Sequence, residues 1–131
     1  MKETRPAIRV LLVEDERHIV ESLTFVLERE GFVVEAVLDG EAAMQRLRAR
    51  LPDVMLLDVM LPRMNGLEVL KQVRSDAALH ALPVVVLTAK GRQHDRRMAE
   101  EIGADAFMTK PFANSEVVEA VRRVVAAARA G

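Results

Sequence analysis

Five short apolar runs recur along this chain, and between them lie stretches whose apolar residues fall three and four positions apart. The first run, Ile8 to Val13, is β-branched and aliphatic and stops abruptly at Glu14-Asp15. Behind it, Ile19, Val20, Leu23, Val26 and Leu27 line one face of a helix, with Gly31 placed to end it. A second strand is predicted over 32–37, and Asp39-Gly40 turns the chain into a helix carrying Ala43, Met44 and Leu47. Pro52 and Asp53 introduce the third strand, Val54 to Asp58. Pro62 to Gly66 makes a loop, and Leu67, Leu70 and Val73 mark a short helix towards Ser75-Asp76. Pro83 opens the fourth strand, Val84 to Thr88, and Arg92–Ile102 is a polar, weakly amphipathic helix ending at Gly103. The fifth strand covers 106–109 and is interrupted by Lys110-Pro111. Val117, Val118, Val121, Val124 and Val125 form the stripe of a last helix, with Asn114 or Ser115 as its cap.

Strands that alternate with helices imply parallel pairing through right-handed crossovers. Their continuous apolar character implies cover on both faces. The expected fold is therefore α/β, a doubly wound five-stranded parallel sheet in three layers. One domain is expected over 1–131, with a core of about 8–125 and tails at 1–7 and 126–131.

Composition narrows the function classes. Half the residues are apolar and the formal net charge is −1, which gives no support for binding nucleic acid or a membrane surface. No apolar run approaches the roughly 18–20 residues of a membrane span. Cysteine is absent, so no disulfide framework exists and a cytoplasmic protein is expected. Trp and Tyr are absent as well, which weakens any reading that needs stacking platforms for flavins or bases.

The polar residues that close the apolar runs carry the chemistry. The first strand ends at Glu14 and Asp15, the third at Asp58, the fourth at Thr88 and the fifth at Lys110. Ligands of open α/β sheets bind at the carboxyl ends of strands, beside the point where strand order reverses. If the strand order is 2-1-3-4-5, that point lies between strands 1 and 3, where three acids would meet. Two carboxylates ~4 Å apart repel by about 4 kcal/mol at an effective dielectric near 20. A hard cation such as Mg²⁺ removes that repulsion with few protein oxygens and leaves room for a phosphate oxygen. Asp58 is then free to attack phosphorus, Thr88 to donate a hydrogen bond, and Lys110 to supply a positive point charge.

The segments LLVEDE, VMLLDVMLPRMNG, VVVLTAKG and DAFMTKPF, taken in order, resemble the signature of the receiver domain of two-component response regulators, from about Ile8 to Val125. The resemblance implies a flavodoxin-like (βα)5 fold of strand order 2-1-3-4-5. It implies phosphoryl transfer to Asp58 from a sensor histidine kinase or a histidine phosphotransfer protein. Glu14, Asp15, Asp58 and the Met60 backbone carbonyl would hold Mg²⁺, and Lys110-Pro111 would be a cis peptide. Thr88 and Phe107 would act as the switch that alters the face of helix 4, strand 5 and helix 5. The resemblance further implies control of a downstream protein target or of an output domain, no turnover of an external substrate, no direct binding of nucleic acid, and a phosphorylation-dependent homodimer as one mode of action.

Other readings stand beside it. Asp15 also reads as a cap of the first helix, and His18, His80 and His94 lack ligand spacing and read as surface residues. Phe107 reads as a core aromatic. Met60 and Lys90 resemble choices common in receivers joined to winged-helix domains, so the N-terminal regulatory domain of a DNA-binding transcriptional regulator is the runner-up. The charge pairs through which those receivers dimerise would need an acid and an arginine where Ala106 and Ala120 stand. A Mg-dependent aspartyl-phosphate phosphatase would want a second Asp as general acid at the position of Met60. Neither a Walker loop nor a dinucleotide glycine fingerprint is present.

Overall fold

The computed structural model describes residues 6–130. Ten elements alternate: β1 (Arg9–Val13), α1 (Arg17–Arg29), β2 (Val33–Val37), α2 (Gly40–Ala49), β3 (Val54–Asp58), α3 (Gly66–Ser75), β4 (Val84–Ala89), α4 (Gln93–Ile102), β5 (Ala106–Lys110) and α5 (Asn114–Ala130). All strands pair in parallel, in the order β2-β1-β3-β4-β5. This is the doubly wound, flavodoxin-like arrangement.

The period-two geometry of a strand sends alternate side chains to opposite faces, and this divides the core in two. Val10, Leu12, Val54, Leu56, Val85 and Leu87 meet Leu23 and Leu27 of α1 and the valine stripe of α5. Leu11, Val13, Met55, Leu57, Val84 and Val86 meet Ala43, Met44 and Leu47 of α2, Val69, Leu70 and Val73 of α3, and Ala99 of α4. Because both faces of β1, β3 and β4 are covered, their buried positions run without a polar break until the carboxyl end.

Several local details differ from the sequence reading. β2 lies at the sheet edge and is half exposed despite its apolar run. The N-cap of α1 is Glu16, with no side-chain cap hydrogen bond, so Asp15 is not spent on capping. At α5 neither Asn114 nor Ser115 makes the cap. Asn114 is already helical, and the Glu116 carboxylate accepts the Ala113 N–H at 2.8 Å. Helix α5 continues to Ala130, but its buried positions stop at Val125. The tail expectation for residues 1–5 and 131 lies outside the described residues.

Two helix starts aim the loops around the carboxyl edge. Asp39 accepts the Ala42 N–H at 2.7 Å and Asn65 accepts the Glu68 N–H at 3.0 Å, each satisfying one orphan donor. Gly66 then brings the β3–α3 loop back against the end of β3, donating its N–H to the Val59 carbonyl at 2.9 Å. A Cβ at Gly66 would lie 2.2 Å from the Asp58 carbonyl oxygen, so only glycine permits that approach.

Candidate functional site

Asp58 is the last residue of β3 and is 3% exposed. Its Oδ2 lies 3.4 Å from Lys110 Nζ, and its Oδ1 accepts a long hydrogen bond of 3.4 Å from the Met60 N–H. Glu14, just past β1, is fully buried. The Val37 carbonyl fixes its backbone N–H at 3.1 Å, and its Oε2 accepts the Glu16 N–H at 3.2 Å. Glu14 Oε1 is ion-paired with Lys110 Nζ at 2.9 Å. Asp15 is exposed beside them, and Glu14, Asp15 and Asp58 each present an oxygen within 4.8 Å of the others.

This arrangement perturbs both charges. Burial, and then the neighbouring Glu14 charge, push the Asp58 carboxyl up from its ordinary 3.8 to about 7, against the opposing pull of Lys110. Burial also works against the Lys110 ammonium, but Glu14 and Asp58 outweigh it and hold its pKa above the ordinary 10.5. Fully ionised, three carboxylates and one ammonium leave two excess negative charges. A divalent cation matches that excess, because the single Lys110 ammonium is already shared between Glu14 and Asp58 and cannot neutralise all three acids. Oxygen donors on a partly open rim suit Mg²⁺.

The remaining expected residues stand around this cluster. The Met60 peptide borders the Asp58 carboxylate, while its side chain is exposed. The Lys110–Pro111 peptide is cis. Thr88 is buried at the end of β4, in register with Thr109 of β5, and no hydrogen bond among the described residues joins it to Asp58. Thr88 and Thr109 adjoin a cavity of about 210 Å³ that Arg96 of α4 also lines. Phe107 stands two residues before Thr109 on the same face of β5. It is half-buried, with the Arg96 guanidinium 5.0 Å from its ring centroid. His18, His80 and His94 are exposed.

Two contributors escaped the sequence reading. Glu16, whose Oε1 is 3.7 Å from Lys110 Nζ, was visible only as the third acid of the run Glu14-Asp15-Glu16. Gly66 reads in sequence as the end of the Pro62 to Gly66 loop, and its clearance against Asp58 has no local signature.

Buried acids at the carboxyl ends of β1 and β3, with a lysine from β5 reaching both, define an acidic pocket on a doubly wound sheet. The chain belongs to the response regulator receiver domain family, which matches it over residues 10–122. It is thus a signal-transduction module of two-component systems and not a conventional enzyme. It is 41% identical over 117 residues to the alkaline phosphatase synthesis transcriptional regulatory protein PhoP of Bacillus subtilis, covering 89% of this chain and 48% of that one. The chain spans about half the length of the curated relatives it matches. Among solved structures, it superimposes on the signal receiver domain of a signal transduction histidine kinase from Syntrophus aciditrophicus with a TM-score of 0.87 at 31% identity, covering 92% of each chain. The receiver domain of sensor histidine kinase PA1611 from Pseudomonas aeruginosa, with a magnesium ion coordinated in its active site cleft, gives 0.85 at 26% identity, covering 92% of this chain and 99% of that one. Among the described residues no helix is long and apolar enough to cross a membrane.

Proposed function

We propose that Asp58 accepts a phosphoryl group from the phosphohistidine of a sensor histidine kinase or a histidine phosphotransfer protein. The Asp58 carboxylate oxygen attacks phosphorus, the P–N bond breaks, and the imidazole leaves, forming an acyl phosphate. The observation that carries this reading is the Lys110 ammonium held 3.4 Å from Asp58 within the acidic cluster. Glu14, Asp15, Asp58 and the Met60 carbonyl are the groups that would hold Mg²⁺. Bound there, the ion would offset charge on the phosphoryl oxygens. Lys110 then pairs with the same oxygens, and Thr88 donates its hydroxyl to them.

The phosphoryl group adds about −1.5 to −2 charge at the sheet's edge. Drawing Thr88 towards it empties space beside Phe107, which shares its face of β5 and β4, and repacks the surface of α4, β5 and α5. That surface controls a downstream protein partner. Because the relatives are transcriptional regulatory proteins about twice as long, the second reading makes this chain the N-terminal regulatory domain of a DNA-binding regulator, in the cytoplasm. Ala106 and Ala120 are both buried and uncharged, which disfavours a homodimer built on a charge pair at those positions. The sequence encoded beyond Gly131 separates the two outputs.

Intact-protein mass measurement tests the acceptor. With Mg²⁺ and phosphoramidate the wild type gains one phosphoryl mass and Asp58→Asn does not. A retained gain in the variant refutes Asp58 as the acceptor.

A further inference from the structure

Lys110 answers to an acid outside the metal-ligating triad. Glu16 Oε1 is 3.7 Å from Lys110 Nζ, and Glu16 Oε2 is 3.5 Å from His18 Nε2. Its peptide is tied to the site through the N–H donated to Glu14, while its half-exposed side chain approaches Lys110 from the solvent side. There it lines a cleft of about 460 Å³ that opens onto Lys110 and is bordered also by Lys90, Ser22 and Asn114.

Charge balance gives this position a consequence. Glu14, Asp15 and Asp58 carry −3, Lys110 carries +1, and a divalent cation brings the sum to zero. Glu16 is then a fourth carboxylate beside the ammonium that a phosphoryl oxygen must reach. We propose that Glu16 is a positioning and donor-selectivity residue: it holds the Lys110 ammonium towards the cleft and sets the receiver against small free phosphoryl anions. A protein donor brings contact surface that offsets this repulsion, whereas an acyl phosphate has little beyond its charge. The inference rests on the acceptor reading above.

A phosphoryl oxygen bonded to Lys110 at about 3 Å lies within about 7 Å of Glu16. Repulsion of a dianion at that distance in water corresponds to about sevenfold in low salt and about twofold at physiological ionic strength. Initial rates of phosphorylation, followed by intact mass, test this with Glu16→Gln, which removes the charge and keeps the shape. The half-saturating concentration of acetyl phosphate should fall by those factors, more than the rate at saturation changes. Its salt dependence should flatten, and phosphoramidate, whose protonated amine cancels part of its charge, should respond less. Glu16→Lys should extend the same shift. Unchanged half-saturation, or an equal, salt-independent change for both donors, overturns the role of Glu16. A wild type that takes up no mass from either donor instead overturns the acceptor reading, and this inference with it.

Discussion

Asp58 is held where its charge is disfavoured, so neutralising it should stabilise the metal-free fold. In Asp58→Asn the amide keeps the side chain's shape and an oxygen for the Met60 N–H, and it removes the repulsion with Glu14. The folded protein keeps the Asp58 proton up to about pH 7, whereas an unfolded chain releases it near 3.8. Between those values the folded state binds more protons, so stability falls as pH rises; below both it carries no penalty, and above both the penalty is constant. At about 1.36 kcal/mol per pH unit, the interval from 3.8 to about 7 caps the cost at about 4 kcal/mol. That cap already includes the opposing pull of Lys110, and an amide reproduces a protonated carboxyl only in part, so a gain of about 1–3 kcal/mol is expected at pH 7.5. Urea denaturation of both proteins in chelator should show this gain at pH 7.5 and its disappearance near pH 4. Mg²⁺ should then stabilise the wild type more than the variant, because the variant lacks one of three carboxylates. A variant no more stable than wild type at pH 7.5, or a gain that persists at pH 4, would show that the cluster does not strain Asp58.

Two further perturbations test the frame around the site. Arg74 donates to the Gly103, His80 and Leu82 carbonyls and to Asp105, tying α3 to the end of α4 and the start of β5. Arg74→Met should lower the urea-derived stability by about 1–3 kcal/mol, with Arg74→Lys restoring only part because an ammonium lacks the planar fork. Gly66→Ala should cost about 1–3 kcal/mol and reduce phosphoryl uptake by mass, since the Asp58 carbonyl and the Val59 Cα would have to move. Full uptake with unchanged stability would show that the loop yields without disturbing Asp58.

Much of this protein was legible along the chain because the rules involved are local. Continuous apolar runs and three-to-four spacings mark which residues become strands and helices, and the residue at each strand's carboxyl end is a matter of position in sequence. The doubly wound class follows from that alternation, and so does the gathering of Glu14, Asp15, Asp58 and Lys110 at one edge. Distance, burial and competition for partners belong to the assembled fold. Only there does Lys110 sit nearer Glu14 than Asp58, does Glu14 lose its water, and does Glu16 lean in from the N-cap of α1. The edge placement of β2 exposes a run whose letters match those of buried strands, since exposure depends on neighbours supplied from elsewhere. Gly66 and Arg74 likewise act through backbone far from them in sequence or hidden by the turn. Apolar periodicity records what each segment must bury, but the energy of a charge depends on every group that surrounds it in three dimensions.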